Sequence, residues 1–516
     1  MLPSLMFAIL PFIFLFVMIA WPLIEVFKLL MTDFNGTLFQ VLAEPYYQKR
    51  LWMSVIQAIL TVIASILLGV PLAFIVAYRQ FKGRDWFLRL LMLPFVLPSL
   101  VVALSFLSLY GAQGWFGLNG QGQLWLVILA NVFYNETIVL RFVYNALGRL
   151  DPNWLAAARS LGSSPSRVIW KVVLPYLWPS ILASACLVFL YSFLTFGISL
   201  LLGGMQFATL EVEIYHLALQ RLELSEASVL ILLQTSLGLA VALIEVKWMQ
   251  RWRLPFLKLQ ARQPTAALLP WQGVWVYLHA AFLLLPIICI FLQSVSLDGQ
   301  FTWLAYQQLF NNDTQGLTSL WDGVCNTLML ATYSTMASLI LGGLQAFWVW
   351  RTQSVLSRIC LSLPLFVSPV GLAVGYLMAY PSLAGNAYLL VAVYVLAGYP
   401  LLARSLLLGL EGLPTVYLNT AATLGSSSLS RVKKIMLPLL KPALKTGLLL
   451  ALVAALGEFT ATLVLARPEW ATLTVAIYER LNYPGEIIYA QAMGLATVLM
   501  CLTLMCFGPL EWGIRR

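Results

Sequence analysis

The sequence predicts an all-α membrane protein whose twelve spans form two parallel six-helix halves. Hydrophobic residues make up 61% of its 516 residues and charged residues only 10%, whereas about 25% are charged in a typical soluble protein. Apolar runs of about 20 residues or more favour membrane helices over a barrel, whose strands alternate in short segments. A sequence pattern also recurs at an offset of 263 residues. The offset indicates an internal duplication of the fold.

The duplication is clearest in two polar segments, which we call loop A (156–175) and loop B (419–438). The matched pairs, without a gap, are Gly162 with Gly425, Ser163 with Ser426, Ser164 with Ser427, Lys171 with Lys434, Leu174 with Leu437 and Pro175 with Pro438. The same register relates TLEVEIY at 209–215 to TLTVAIY at 472–478. We therefore expect a first transmembrane domain at 1–246, a basic linker at 247–272 and a second transmembrane domain at 273–516.

Twelve apolar segments are long enough to span a membrane, six in each half. They are 4–30, 51–78, 87–111, 123–145, 176–202, 227–246, 273–295, 324–350, 359–384, 386–408, 440–466 and 488–511. Arginine and lysine cluster in the loops on one side, which the positive-inside rule assigns to the cytoplasm together with loops A and B. The acidic segment 203–226 falls on the opposite, outer side. An even number of spans per half predicts that both halves have the same orientation.

Each polar loop has the residues of a helix-turn-helix. In loop A, an Ala-rich helix is expected to stop at Gly162, and a second helix to begin with Ser164 as N-cap and Pro165 in its first turn. We expect this helix-turn-helix to lie between two membrane spans. Such a unit can bind a groove of a partner and move together with the spans beside it.

The two loops resemble the EAA motif of the permease subunits of ABC importers, E-A-A-x3-G-x9-I-x-L-P. The matching residues of loop A are Ala156, Ala157, Ala158, Gly162, Val172, Leu174 and Pro175, and those of loop B are Asn419, Thr420, Ala421, Gly425, Ile435, Leu437 and Pro438. Neither loop has the glutamate, which in the family helps to hold the loop on the ATPase. The Gly and Leu-Pro spacing is intact in both. The resemblance implies that loops A and B are the ATPase-coupling loops.

The resemblance also implies the partners of the chain. The sequence contains no Gly-Lys pair and hence no G-x4-G-K-[ST] phosphate-binding loop. ATP with Mg²⁺ is therefore expected in a separate ATPase subunit, with two copies for two loops, and no cofactor or enzymatic activity in this chain. We expect a periplasmic or lipoprotein solute-binding protein as a further partner and a bacterial inner membrane as the location. The net charge of +10 reflects basic cytoplasmic loops rather than nucleic-acid binding.

Within the importers, the chain resembles the fused two-half permeases of the thiamine and ferric-iron branch. The segments SLYGAQGW at 108–115 and LLGGMQFATLEVEIYHLAL at 201–219 are similar to thiamine permeases, and 457–481 is similar to ferric-iron permeases. Thiamine or its phosphate esters are the preferred substrate, with ferric iron as the alternative.

Four polar residues inside predicted spans are candidates for lining the translocation path: Glu458, Asn131, Asn135 and Glu136. A carboxylate at the centre of a span costs at least about 2.5 kcal/mol and therefore faces protein or water. Polar contacts that only hold helices together explain the same residues, so both interpretations stay open. The prolines of LPFVLP (93–98) and LPLFVSP (363–369) also leave two interpretations open, kinks in gate-lining helices or simple packing.

Two other classes of function remain as alternatives. An ion-coupled secondary transporter would use Glu458 and Glu136 as ion sites, but the parallel repeat and the duplicated cytoplasmic loop argue against it. An intramembrane enzyme would need a nucleophile or metal set, and the chain has only two histidines, neither in a recognisable motif.

Overall fold

The structure, a computed structural model, describes residues 2–32, 34–112, 114–118, 121–251, 266–297, 299–311 and 316–513. Ten helices in these ranges are long and apolar enough to cross a membrane. Two further pairs of helices are sharply bent, and each pair counted as one span brings the number to twelve. The predicted all-α polytopic fold is confirmed.

We number the spans 1 to 12 in chain order. Spans 1 to 6 are Phe7–Thr32, Pro45–Tyr78, the pair Arg84–Val96 with Ser99–Tyr110, Leu124–Arg149, Pro165–Phe193 and Leu224–Ile244. Spans 7 to 12 are Pro270–Ser294, Leu320–Thr352, the pair Val355–Leu365 with Pro369–Ala379, Ala387–Glu411, Ser428–Leu456 and Glu486–Cys506. The helices of spans 6 and 12 continue to Arg251 and Gly513.

Shorter elements connect the spans. The α-helices among them are Phe34–Ala43, Pro152–Ser160, Gly197–Leu202, Leu210–Tyr215, Leu304–Phe310, Thr415–Thr423, Thr460–Leu465 and Leu473–Leu481. Two-residue strands pair in parallel at Arg79–Gln80 with Ala266–Ala267, and antiparallel at Ser296–Leu297 with Gln300–Phe301. Most of the predicted linker, residues 252–265, lies outside the described residues.

The first span of each half packs against the other half. In span 9, the Tyr376 hydroxyl donates a hydrogen bond to the carbonyl of Met18 in span 1, at 2.7 Å. In span 7, the side-chain amide of Gln293 donates to the carbonyl of Ser108 in span 3, at 3.0 Å. These contacts join the halves on both sides of the molecule. Hydropathy identified spans 1 and 7, but it carries no information about which half each of these spans packs against.

Spans 3 and 9 are broken rather than continuous over 87–111 and 359–384. Their two segments meet at 105° and 91°. In span 3 the break lies at Pro98, and the preceding residue, Leu97, is extended with ψ 137°, because a proline ring excludes the helical conformation of the residue before it. In span 9 a new helix begins at Pro369, where the Ser368 hydroxyl accepts the N–H of Gly371 at 2.8 Å.

Spans 5 and 11 begin earlier and end earlier than the predicted 176–202 and 440–466. The second helix of each polar loop is the first part of the span itself, so the prediction of a separate helix between spans was wrong. Five-residue π turns, Ile169–Val173 and Val432–Met436, lie just before Pro175 and Pro438. We attribute the continuity to these wider turns, since a proline removes an N–H donor and its ring collides with the preceding α-helical turn.

The acidic segment 203–226, which the sequence places on the outer side, contains a buried helix. Its helix Leu210–Tyr215 is fully buried, including both glutamates. Glu213 lies 3.4 Å from the guanidinium of Arg50 in span 2 and accepts the Tyr46 hydroxyl at 2.9 Å. A charged partner from another helix allows a carboxylate to be buried, and composition alone does not reveal such a partner.

Glycine allows the second and fourth span of each half to cross closely. A Cβ at Gly69 would lie 3.1 Å from the carbonyl oxygen of Glu136, and one at Gly342 would lie 3.1 Å from the carbonyl oxygen of Tyr399. Glu136 and Tyr399 are 263 residues apart, whereas the glycines are 273 apart, so the crossings are at equivalent positions of spans 4 and 10 but not of spans 2 and 8. Small residues at helix crossings are a common means of close packing in membranes.

A larger side chain at this crossing is expected to destabilise the protein. Gly342→Val places methyl groups against the backbone of span 10 and should lower the free energy of unfolding by about 1–3 kcal/mol. Gly343→Val is the matched control, because a Cβ at Gly343 meets nothing within 4 Å. Thermal unfolding in detergent should show a lower midpoint for the first variant only. Equal midpoints for the two variants would contradict the predicted close crossing.

Candidate functional site

Loops A and B have the same backbone geometry. The short helices Pro152–Ser160 and Thr415–Thr423 each end before a glycine in the left-handed region, with φ +77° at Gly162 and +78° at Gly425. After the turn, the hydroxyl of Ser164 accepts the backbone N–H of Arg167 at 3.4 Å. In loop B the hydroxyl of Ser427 accepts that of Ser430 at 3.3 Å. The glycine stop and the serine N-cap are as predicted.

The residues that matched the loop motif lie at the surface. Nine are exposed: Ala156, Ala157, Gly162, Pro175, Asn419, Thr420, Gly425, Leu437 and Pro438. Five are half-buried: Ala158, Val172, Leu174, Ala421 and Ile435. The helix Pro152–Ser160 has no buried residue. Its exposed side chains are available to contact a partner, and the coupling role of these residues stays a prediction.

Four exposed apolar side chains, two in the loops and two just before them, escaped the sequence analysis. Leu161 and Leu424, which precede the turn glycines, are 85% and 81% exposed, and Trp154 and Tyr417 are 51% and 57% exposed. Each pair is related by the 263-residue offset. Exposed apolar groups clustered outside the spans indicate a protein-binding surface. The sequence does contain a Leu-Gly pair at the turn of both loops. The pair could be recognised as a binding surface only once the structure showed that the leucine side chains are exposed.

A continuous helix joins each loop to the interior. Pro165–Phe193 and Ser428–Leu456 each have 29 residues, which corresponds to about 43 Å of helix. Each ends three residues before a phenylalanine, Phe196 or Phe459, from which the chain enters another short helix. One helix therefore connects each loop to residues deep in the molecule.

Two of the path candidates, Asn131 and Asn135, belong to a buried polar network between spans 2, 4 and 5. The amide of Asn131 donates to the side-chain oxygen of Gln57 at 3.4 Å, and the amide of Asn135 donates to the hydroxyl of Ser192 at 3.3 Å. The Gln57 amide donates to the Ser192 carbonyl. Asn131, Asn135 and Ser192 are each at most 1% exposed. All these contacts lie within the first half. They favour the interpretation that Asn131 and Asn135 hold helices together.

Glu136, the third candidate, faces away from this network. Its Oε1 lies 2.8 Å from Nε2 of His279 in span 7, and both side chains are buried. The pair connects span 4 of the first half to the first span of the second half. His279 was not associated with Glu136 in the sequence, because the contact depends on the packing of span 7 against the opposite half.

Glu458, the fourth candidate, lies apart from the other three. It is half-buried and follows the end of span 11. Its carboxylate accepts the backbone N–H of Ala461 at 2.9 Å, at the start of the short helix Thr460–Leu465. The neighbouring Gly457 approaches Pro98, where a Cβ would lie 3.3 Å from the proline Cα. Glu458 is thus beside the break of span 3, at the boundary between the halves.

A further carboxylate, Glu211, joins the two halves and was missed. It accepts the Val370 N–H at 3.2 Å and the Gln234 amide at 3.0 Å, and it is also hydrogen-bonded by the Ser368 side chain. Burial raises the pKa of the Glu211 carboxyl to about 8, although its three donors act in the opposite direction. The Glu211 carboxyl therefore connects the first half to the break of span 9.

The comparisons with known proteins agree with these features. The thiamine transport system permease protein ThiP of Haemophilus influenzae is 25% identical over 492 residues, covering 90% of this chain and 88% of the relative. ThiP of Escherichia coli is 25% identical over 499 residues, with coverage of 88% and 86%. The ferric transport system permease protein FbpB of Actinobacillus pleuropneumoniae is 24% identical over 532 residues, with coverage of 96% and 76%.

The family model described as binding-protein-dependent transport system inner membrane component matches the chain twice, at residues 65–258 and 334–509. The two matches together cover more than half of the chain, and each includes one of the two polar loops. The chain therefore belongs to this family, as a fused two-half permease subunit of an ABC importer.

Proposed function

We propose that the chain forms the path for thiamine or its phosphate esters across a bacterial inner membrane, driven by two ATPase subunits that bind loops A and B. The observation that carries the ATPase part is the pair of equivalent exposed surfaces around Leu161 and Leu424, each at the end of a continuous helix into the membrane. Two equivalent surfaces on one chain suit two copies of one partner.

ATP with Mg²⁺ belongs to the partner in this proposal. The chain itself holds no cofactor and performs no chemistry. A periplasmic or lipoprotein solute-binding protein delivers the ligand to the outer side, and closure of the ATPase pair on ATP moves both loops. The long helices convert this movement into alternating access between the halves, a rigid-body change biased by differential nucleotide binding.

The substrate proposal is supported by the relatives and by local sequence. The thiamine permeases of three bacteria are similar to this chain over 87–90% of its length. Ferric iron is the second candidate, because a ferric permease covers 96% of the chain at nearly the same identity. The segment 457–481 also resembles ferric-iron permeases.

Charge on the exposed leucines should weaken coupling. Leu161→Asp together with Leu424→Asp removes apolar surface from both contacts, and we expect at least a tenfold loss in ATPase binding, or about 1.4 kcal/mol. The measurement is co-purification and ligand-stimulated ATP hydrolysis in nanodiscs. Leu269→Asp is the control, since Leu269 is 42% exposed and lies between the strand Ala266–Ala267 and span 7, outside both loops and all spans. Unchanged ATPase binding in the double variant would refute the docking role.

The turn glycines give a second test of the loops. Gly162→Val with Gly425→Val places a β-branched residue at φ near +77°, where it costs at least about 1–2 kcal/mol per site. The docking helix should then change its angle, and ligand-stimulated ATPase activity should fall severalfold. Gly162→Asn with Gly425→Asn is the matched control, because asparagine tolerates the left-handed region. Equal activity of the two double variants would show that the turn conformation is not needed for coupling.

The substrate is tested by ligand-stimulated ATPase activity of the complete complex. The chain, its ATPase and its binding protein are reconstituted in nanodiscs and given thiamine, thiamine pyrophosphate or ferric iron separately. We expect stimulation by thiamine or its pyrophosphate. Stimulation by ferric iron alone would select the second candidate. Solute accumulation on an ion gradient by the chain alone, with no ATPase bound, would contradict the proposed mechanism.

A further inference from the structure

Residues that contact their own repeat counterparts mark the axis between the halves. In an arrangement with twofold symmetry, a residue can touch its symmetry mate only if it lies on the axis. In two parallel halves that axis runs along the membrane normal. The path of a permease built from two such halves follows the same line. Self-contacts between positions 263 residues apart therefore identify side chains that lie in the path.

Phe196 and Phe459 form such a self-contact. They are 263 residues apart, and their rings are stacked, with centroids 5.8 Å apart and planes 24° from parallel. Phe196 is 3% exposed and Phe459 is 2% exposed. The backbone is close as well, because a Cβ at Gly197 would lie 3.4 Å from the Phe459 ring. The two rings thus fill the space on the axis between the halves.

Tyr215 and Tyr478 form a second self-contact in the same place. They are also 263 residues apart, and their hydroxyl groups lie close enough to interact with each other. Tyr215 packs on Phe196 with ring centroids 5.4 Å apart, and Tyr478 packs on Phe459 at 5.6 Å. Four rings, two from each half, therefore form one continuous cluster across the axis.

The position of the phenylalanines links this cluster to the polar loops. Phe196 and Phe459 each lie three residues beyond the end of a 29-residue helix that begins in loop A or loop B. Each is also the residue before a short helix, Gly197–Leu202 or Thr460–Leu465. A change in the angle between the two long helices would separate the rings, since each ring is carried near the end of one of them.

We propose that Phe196, Tyr215, Phe459 and Tyr478, which we call the axial aromatic cluster, form the closed gate of the translocation path. The rings exclude water and ions from the axis while the halves are together, because the cluster contains no charged group. When the ATPase moves loops A and B, the long helices carry the ring pairs apart and the path opens. This assignment adds a gate to the permease role and does not depend on which substrate is carried.

The first test is passive leak in the absence of ATP and substrate. The full chain with its ATPase is reconstituted in liposomes that contain a pH-sensitive dye, and proton entry is followed after a pH jump with the membrane potential clamped by potassium and valinomycin. Phe196→Ala with Phe459→Ala removes both central rings. We expect proton leak at least tenfold above wild type. Each single variant should leak to a smaller and similar extent, because the contact is mutual.

The matched control is Phe106→Ala with Phe133→Ala. This pair removes two contacting rings, 5.3 Å apart, that both pack on Phe282 of span 7, and neither ring touches its repeat counterpart in that contact. Both double variants are first checked for a single symmetric peak in gel filtration. The control should leak within twofold of wild type. Wild-type leak in the axial variant, or equal leak in both variants, would overturn the proposal.

A second measurement tests the opening if the alanine variants do not fold. Tyr215→Cys and Tyr478→Cys are introduced after replacement of the six native cysteines, and the complex is treated with a short bismaleimide. We expect efficient cross-linking without nucleotide and at least fivefold slower cross-linking in one of the nucleotide states trapped with an ATP analogue or with ADP and vanadate. The same cross-linking rate in every nucleotide state would show that the cluster does not separate. Neither measurement uses thiamine or iron, so a wrong substrate assignment leaves both results interpretable.

Discussion

The continuity of one long helix in each half is the constraint on which the rest of the structure depends. Pro165–Phe193 begins three residues after the turn at Gly162 and ends three residues before Phe196. A proline inside an α-helix normally kinks or breaks it, and Pro175 lies near the membrane surface, where a break would separate the loop from the span. The π turn at Ile169–Val173 removes that conflict. The loop and the axis are consequently joined by one uninterrupted helix.

The repeat allowed the local geometry of the loops to be predicted, but not the packing between halves. The glycine turns and serine caps follow from neighbouring residues, so they could be read from the sequence. Spans 5 and 11 were misplaced because hydropathy does not detect a polar first turn that belongs to the same helix. The contact of His279 with Glu136 and the burial of Glu211 were missed, since both depend on segments far apart in the chain.

The two halves share a backbone plan but differ in the polar groups at their boundary. Glu211 holds the break of span 9, whereas the counterpart of Glu211 in the second half is Thr474. Glu458 lies beside the break of span 3, and its counterpart is Thr195. The aromatic residues on the axis are conserved between the halves in type and position, while the carboxylates are not. The features that both halves share are the polar loops and the axial aromatic residues, to which we assign ATPase coupling and closure of the path. The carboxylates occur in one half only, so the two halves present different polar groups at their boundary.

The most direct test of this account measures both ends of the long helices in one experiment. Spin labels are placed at Ser160→Cys with Thr423→Cys in the loops, and separately at Met205→Cys with Pro468→Cys on the outer side, all exposed positions in a cysteine-free background of the complete complex. Pulsed electron resonance distances are compared with and without trapped nucleotide. The account predicts that the loop distance shortens and the outer distance lengthens together. A shorter loop distance with an unchanged outer distance would contradict transmission through rigid helices.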